Sequence, residues 1–263
     1  MESSFKYYSQ FGEDCLLWEF FQYRKEGFYI DVGAFDGIHL SNTYSFEQKG
    51  WNGICIEPNP VMFGYCRENR PRSLCLNMAC IGKPMVNEVK FYAEDIGLLS
   101  TTINTSAKEA DIRERYRKRG LPFTGLKEIP VNAATLNHIL DMHVPSVNAI
   151  DFISIDTEGN ELDVLEGLDI HRYETRVFII EAHSREDEDQ IAGYLSRRGG
   201  YRLARKLEEN LVFVKTVEDW KRMRGIAIDC TIEKQVHPLG ETYSLPRLLH
   251  GKKIRTAALK EEK

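Results

Sequence analysis

The chain has 263 residues, of which 42% are apolar and 29% are charged, and its net charge is −5. This length fits one large domain or two small ones, and 13 Phe and 12 Tyr exclude a wholly disordered chain. The negative charge argues against a general nucleic-acid binder. No apolar run reaches about 18 residues, and the first ten residues lack the pattern of a secretory signal. The sequence therefore predicts a globular cytoplasmic protein without a transmembrane segment.

Hydrophobic periodicity and turn residues predict an alternation of helices and strands along the chain. The first half contains a helix at 13–23, a strand at 28–32, a helix at 41–49, a strand at 53–57, a helix at 60–69, a strand at 73–81 and an extra strand at 89–93. The second half contains helices at 106–119, 135–142, 161–168 and 185–197, strands at 129–131, 150–156 and 176–181, and a closing hairpin at 201–206 and 210–215.

Strands that alternate with helices indicate an α/β fold with a mostly parallel sheet, helices on both faces and an antiparallel hairpin at the end. Residues 1–216 are predicted to form the main domain. Residues 217–263 are less periodic and are predicted to form a partly irregular C-terminal extension. The six cysteines include no Cys-x-x-Cys pair, which favours free thiols over a zinc site or disulfides.

A glycine turn follows the first strand, in the segment Asp31-Val-Gly-Ala-Phe-Asp-Gly37. Parallel sheets bind ligands outside the carboxyl ends of their strands, and this turn lies at such an end. Burial of the Asp31 charge is costly unless donors meet it, and a ligand ammonium is one such donor. Glu57 ends the second strand, where a carboxylate can accept hydrogen bonds from ribose hydroxyls.

Two cofactors and one structural alternative compete for this turn. A dinucleotide requires Gly-x-Gly-x-x-Gly, but Phe35 stands where the middle glycine is needed and Asp36 would repel a pyrophosphate. S-adenosylmethionine carries no phosphate, so an acidic turn suits it better. The alternative is an ordinary strand–turn–helix in which the aspartate caps the helix.

Four motifs in order, with a fifth near the start, resemble the FkbM family of S-adenosylmethionine-dependent methyltransferases. They are Asp31-Val-Gly-Ala-Phe-Asp-Gly37, Gly50-Trp-x-Gly53, Ile56-Glu-Pro-Asn-Pro60, Ile155-Asp-Thr-Glu-Gly159 and, before them, Ser9-Gln-Phe-Gly-Glu-Asp14. The resemblance covers residues 9–215. It implies the Rossmann-like fold of class I methyltransferases, with a seven-stranded sheet, and O-methylation of hydroxyls on sugars and polyketide-type natural products.

The expected function is therefore an S-adenosylmethionine-dependent O-methyltransferase. Its acceptor would be a hydroxyl of a glycan, a nucleotide-sugar, a lipid-linked sugar or a related small molecule, with no nucleic acid as partner. A nicotinamide-dependent oxidoreductase and a non-catalytic S-adenosylmethionine-binding scaffold remain as alternatives.

The expected cofactor site combines the glycine turn with the ends of the neighbouring strands and with polar residues on either side. It comprises Asp31, Gly33, Ala34, Phe35, Asp36, Gly37, Ser41, Asn42, Glu57, Pro58, Ala79, Gln10 and Glu13. Gln10 and Glu13 either close over the cofactor or merely cap the first helix.

A cluster of acids is predicted where the fourth long strand ends. Asp156 and Glu158 lie two residues apart on an extended segment, so their side chains point the same way. Glu181 and His183 follow the next strand and reach the same edge of the sheet. These four residues are the catalytic candidates, with Asp156 as the leading general base. The alternative is a Mg²⁺ site, to which Asp156, Glu158, Glu161 and Glu181 are the candidate ligands.

Two further segments are predicted to face the acceptor. The hydroxyl-rich loop at 98–102 is a candidate contact for it. The helix around 113–119 holds five basic residues, which form either a solvated face or a clamp for an anionic acceptor.

Overall fold

The structure is a computed structural model that describes residues 5–83, 87–103 and 105–259. Its helices are α1 (Glu13–Phe20), α2 (Tyr44–Gln48), α3 (Pro60–Asn69), α4 (Ser106–Lys118), α5 (Leu136–His143), α6 (Glu161–Glu166), α7 (Arg185–Gly199), α8 (Val217–Gly225) and α9 (Pro246–Leu249). Its strands are β1 (Phe28–Val32), β2 (Asn52–Ile56), β3 (Leu74–Leu76), β4 (Ala79–Cys80), β5 (Glu88–Ala93), β6 (Lys127–Ala134), β7 (Ala149–Ile155), β8 (Glu174–Glu181), β9 (Arg202–Leu207), β10 (Asn210–Val214), β11 (Ile228–Thr231) and β12 (Lys253–Thr256).

Seven strands form the central sheet in the order β3-β2-β1-β7-β8-β10-β9. The first five are parallel, and β10 runs antiparallel to both β8 and β9. The predicted class I methyltransferase fold, with its closing hairpin, is confirmed. From β1 to β3 the strands are added toward one edge of the sheet, and from β7 onward they are added toward the other edge. A crevice therefore opens outside the carboxyl ends of β1 and β7, where the strand order reverses.

The sheet is buried on both faces, as the apolar strands predict. On β7, Phe152 packs with Phe46 and Trp51 on one face, and Ile153 packs with Leu165 on the other. Full burial of one such side chain stabilises the fold by about 1.5–3 kcal/mol. Neighbouring side chains of β7 thus pack against elements on opposite faces of the sheet, and this packing fixes the position of the strand's carboxyl end.

The predicted strand at 73–81 is wrong as a single element. It divides into β3, at the edge of the main sheet, and β4, which pairs with β6 in a separate three-stranded sheet ordered β4-β6-β5. The Asn77 side chain stabilises the break because it donates to the carbonyls of Glu57 and Pro58, at 2.8 and 3.0 Å. The break brings Ala79 and Cys80 to the crevice.

The predicted helix at 41–49 is shortened to α2. The Ser41 hydroxyl accepts hydrogen bonds from the backbone N–H groups of Thr43 and Tyr44, at 3.2 and 3.0 Å. These bonds hold Ser41–Tyr44 as a turn, which competes with the helix.

The C-terminal extension is more regular than its sequence pattern indicates. It forms α8, α9 and the antiparallel pair β11–β12, and its Met223, Ile228 and Ile232 are buried in the same cluster as α1. The Gln235 side chain accepts from the Leu40 N–H and donates to the Tyr8 carbonyl, both at 2.8 Å. The extension therefore braces the segment that follows the glycine turn. None of the helices in the described part of the chain has the length and apolar character that crossing a bilayer requires.

Candidate active site

The glycine turn lies where the ends of β1, β2 and β7 meet. Gly33 has a φ of +86°, and a Cβ atom on it would lie 1.7 Å from the backbone oxygen of Asp156. Its N–H donates to the Ile56 carbonyl at 2.9 Å. A side chain at this position would push the turn away from β7, so the shape of the crevice depends on the glycine.

Asp31 sits in the floor of the crevice, beside Cys55 and Ser154 of the flanking strands. The Thr43 hydroxyl donates to its carboxylate, and an Arg70 guanidinium nitrogen lies 3.9 Å away. Burial raises the pKa of Asp31 to about 6, although both of these partners favour the charged form. The carboxylate is thus poised to gain from a further cation in the crevice.

Glu57 lies at the end of β2, buried but facing the crevice. One of its oxygens accepts the Phe35 N–H at 2.8 Å and the other accepts the Asn59 N–H at 2.7 Å. Burial raises the pKa of Glu57 to about 8, against the effect of these two bonds. Each oxygen still has a lone pair that a hydroxyl donor can use.

Three residues of the predicted cofactor set do not line the crevice. The carboxylate of Asp36 caps the turn, because it accepts the N–H groups of Ile38 and His39 at 2.9 and 2.7 Å. Gly37, with a φ of +82°, packs against Arg70. Glu13 is fully buried, where it accepts from the Phe11 N–H and from Asn210. In the structure Asp36 and Gly37 support the turn, and Glu13 ties the start of α1 to β10.

The other predicted residues of the cofactor set line the crevice together. They are Gln10, Asp31, Gly33, Ala34, Phe35, Ser41, Asn42, Glu57, Pro58 and Ala79. The Asn42 amide nitrogen donates to the Ser154 hydroxyl at 3.0 Å, and its buried carbonyl oxygen has no hydrogen-bond partner in the described part of the chain. An unsatisfied acceptor near Asp31 suits an ammonium group.

The predicted acids converge at the far end of the same crevice. Asp156 follows β7, Glu181 ends β8, and both line the crevice with Glu158. The imidazole of His183 lies behind them, with Nε2 3.3 Å from Glu158 and 3.1 Å from Glu181. These two carboxylates raise the pKa of His183 to about 10, so its ring is a cation at neutral pH.

The acids of this cluster differ in charge state. Asp156 is open to the crevice, yet the protein walls around it desolvate its carboxyl, and the Glu181 and Glu158 charges oppose its ionisation. Together they raise the pKa of Asp156 well above its usual range. Burial alone would raise the pKa of Glu158, but His183, Lys108 and Arg115 lower it below its ordinary value.

Glu161 has a structural position instead. One of its carboxylate oxygens accepts the Thr157 and Gly159 N–H groups, at 3.0 and 2.9 Å, and so closes the turn after β7. The compact group of ligand atoms in this region consists of Glu158, Glu181 and His183, within 4.8 Å of one another. One of its ligand atoms is an imidazole nitrogen, and Glu158 is already paired with Lys108 and Arg115, at 3.2 and 3.5 Å. This group therefore does not fit the oxygen-ligand Mg²⁺ site that the sequence suggested.

The sequence model of a protein family, the methyltransferase FkbM domain, matches residues 31–203, which include the glycine turn and the acid cluster. The chain belongs to the FkbM methyltransferase family. It is 27% identical over 194 residues to methyltransferase sdnD of Sordaria araneosa, an alignment that covers 66% of this chain and 72% of sdnD.

Two solved structures are also similar to this FkbM methyltransferase. The precorrin-6y C5,15-methyltransferase of Geobacter metallireducens is 12% identical, with a TM-score of 0.41 over 77% of this chain and 88% of its own. A TehB-like SAM-dependent methyltransferase of Corynebacterium glutamicum is 12% identical, with a TM-score of 0.40 over 78% and 88%. Family membership assigns S-adenosylmethionine as the methyl donor, and nothing in the family assignment supports the nicotinamide-dependent alternative or Mg²⁺.

Several crevice residues of this FkbM methyltransferase were not predicted from the sequence. Ser154 lies two residues before Asp156, and its polarity within an apolar strand was a usable signal. His39 faces the crevice with a buried Nε2 that has no hydrogen-bond partner in the described part of the chain. Glu209 and Arg247 come from distant segments, and Arg247 lies beyond the family match, so no motif pointed to either.

Proposed function

We propose that this methyltransferase transfers the methyl group of S-adenosylmethionine to a hydroxyl of a carbohydrate or a related natural product. The observation that carries the proposal is the position of Asp156. Its carboxyl opens into the crevice one strand away from the glycine turn, where it can reach the hydroxyl proton of an acceptor bound beside the donor.

The donor would be held at the carboxyl ends of β1 and β2 and by the turn that follows β1. Asp31 and the unsatisfied oxygen of Asn42 would receive its ammonium group, and the lone pairs of Glu57 would accept the ribose hydroxyls. Gly33 leaves room for the donor's close approach to the backbone. The methyl group would then point along the sheet edge from β1 toward β7.

The reaction is an in-line displacement at the methyl carbon. The acceptor oxygen forms a bond to this carbon as the carbon–sulfur bond breaks, and the sulfur leaves with that electron pair as neutral S-adenosylhomocysteine. The ionised form of Asp156 takes the hydroxyl proton. Positioning of the two reactants supplies much of the acceleration, and proton transfer to a placed base contributes about 10²–10⁴-fold.

Glu158, Glu181 and His183 would set the charge around the base. His183 is cationic and tied to both glutamates, so it is better suited to fixing them than to accepting a proton. Carboxylates at this edge accept hydrogen bonds from vicinal hydroxyls, which favours a polyol acceptor. The negative charge of the chain is unfavourable for a polynucleotide.

The proposal is tested with methyl-labelled S-adenosylmethionine and a panel of free glycans, nucleotide-sugars, lipid-linked sugars and RNA. We expect label in at least one sugar, loss of transfer in Asp156→Asn, and no effect of a chelator. Label in RNA but in no sugar would refute the acceptor class. Binding of the donor without any transfer would favour the scaffold alternative.

A further inference from the structure

The basic residues of α4 fall into two groups. Arg113 and Arg117 point away from the crevice and form ion pairs with acids of their own helix, at 2.9 and 2.6 Å. Arg115 and Arg119 instead line the crevice, beyond the acid cluster. The basic segment is therefore a solvated face on one side and part of the site on the other.

Arg247, in the first turn of α9, lines the same crevice from the C-terminal extension. Its guanidinium lies 5.5 Å from the centre of the Phe11 ring, a contact that orients the side chain without neutralising its charge. Two segments more than a hundred residues apart thus bring three guanidinium groups to one end of the cavity.

The charges at this end are incompletely neutralised. Arg115 lies 3.0 Å from Asp111 and 3.5 Å from Glu158, so it is already shared between two acids. Within the described ranges, the side chain of Arg119 has no hydrogen bond or ion pair. Arg119 is exposed at the crevice, yet partial desolvation there and the charge of Arg115 lower its pKa. Glu94 and Glu158 oppose this shift without cancelling it, and Arg247 adds a weaker lowering. Cations that repel one another in a cleft are stabilised by an anion between them.

We propose that Arg119 and Arg247, with Arg115 beside them, bind an oxyanion of the acceptor, either a phosphate or a carboxylate. The inference rests on the proposed function, because it places the methylated hydroxyl at Asp156 and the anion farther along the crevice. Guanidinium groups bind both oxyanions in a two-point manner. Glu158 and Glu181 would repel an anion placed next to the methyl group. Charge therefore orients the acceptor, with its hydroxyl at Asp156 and its anionic group at the arginines.

The first test uses inorganic pyrophosphate as the probe, titrated calorimetrically into protein saturated with S-adenosylhomocysteine. Arg119→Gln and Arg247→Gln should each weaken pyrophosphate binding by about tenfold, the loss expected for a charged hydrogen bond. Arg117→Gln is the matched control, because it removes the same charge from the same helix outside the crevice. It should change the affinity by less than about twofold.

The same titration identifies a failure of the inference. Equal weakening by Arg117→Gln and Arg119→Gln would show that pyrophosphate responds to net charge alone and would overturn the site. Unchanged affinity in both crevice variants would overturn it as well. Retained affinity for S-adenosylhomocysteine in each variant verifies that the fold is intact.

A second pair of probes distinguishes the source of the oxyanion. Glucose 1-phosphate and glucuronate are titrated in the same way. A larger loss of affinity for glucose 1-phosphate in Arg119→Gln indicates a phosphate site, and a larger loss for glucuronate indicates a carboxylate site.

Methylation of neutral glycans separates this inference from the proposed function. If neutral glycans are methylated equally by the parent and by Arg119→Gln, and no anionic acceptor responds to the variant, the function stands and the anion site fails. If the variant loses pyrophosphate but no hydroxyl acceptor is methylated, the site stands and the function fails.

Discussion

The two halves of the crevice are constructed differently. The cofactor half comes mostly from short segments around Gly33 and Glu57. Backbone N–H groups hold Glu57, and the buried side chains of Thr43 and Arg70 hold Asp31. The acceptor half is assembled from α4, the ends of β7 and β8, and α9. It carries charges of both signs that bond mainly to one another.

This difference in construction affects how rigid each half is and how well it tolerates substitution. A site whose polar groups are fixed by buried hydrogen bonds is rigid and suits a ligand that does not change. A site held by side chains from distant segments can vary without loss of the fold, because each side chain contributes little to the core. The contrast predicts that substitutions in the acceptor half change turnover and acceptor choice, and that substitutions in the cofactor half change donor affinity.

The largest effect is expected for Asp156→Asn. Removal of the base should lower turnover by about 10²-fold or more, and the affinity for S-adenosylmethionine should stay within about twofold. Label transfer measures the first quantity and calorimetry the second. Asp151→Asn, at the opposite end of the same strand, serves as the control and should retain turnover. A parent-like kcat in Asp156→Asn would remove this residue from the chemistry.

Glu57→Ala should impair the cofactor half, so that donor affinity falls. Loss of the acceptor for two ribose hydroxyls should weaken S-adenosylmethionine binding by roughly 1–3 kcal/mol, the sum of two hydrogen bonds, which calorimetry can measure directly. Glu57→Gln retains one acceptor oxygen and should fall between the parent and the alanine variant. Unchanged affinity in Glu57→Ala would mean that the ribose is bound elsewhere.

The cofactor half could be predicted from the sequence because its geometry is local. The φ of +86° at Gly33 and the strand-end position of Glu57 follow from residues close in the chain. The same local rules could not show that Asp36 turns back to cap His39. Capping and ligand binding require the same residue type at the same position, and the direction of the side chain decides between them.

The acceptor half could be predicted only in part. The end of β7 placed Asp156 at the edge, but the expected extended segment from Asp156 to Glu158 is wrong, because Glu158 has a φ of +57° and reaches the crevice through a turn. The Arg115 and Arg119 side chains could face either water or the crevice. That choice depends on how α4 packs. Arg247 was beyond prediction, because its place depends on an extension whose pairing with the N-terminal segment has no local sequence signature.

A smaller effect is expected when the pH is lowered across the pKa of Asp31, which burial raises to about 6. Below that pH the carboxyl is neutral and loses its attraction for the donor's ammonium group. The affinity for S-adenosylmethionine should therefore fall as the pH drops from 7 to 5, by at most about tenfold per pH unit. Asp31→Asn should bind more weakly and show a flatter pH dependence. An affinity in the parent that rises on acidification would contradict this assignment.

The smallest effect concerns Lys108, whose ammonium lies 3.2 Å from Glu158 and away from the cofactor half. In Lys108→Gln the acid cluster loses a neighbouring cation, so ionisation of Asp156 becomes harder and its pKa rises further. The rising limb of kcat/KM against pH should shift upward by less than about one unit, while the donor affinity stays unchanged. Lys118→Gln, which removes an exposed charge from the same helix, should leave the limb in place. A shift of the limb to lower pH in Lys108→Gln, or an equal shift in Lys108→Gln and Lys118→Gln, would contradict this prediction. The charges around Asp156 would then not control its pKa, and the division between the two halves would need another explanation.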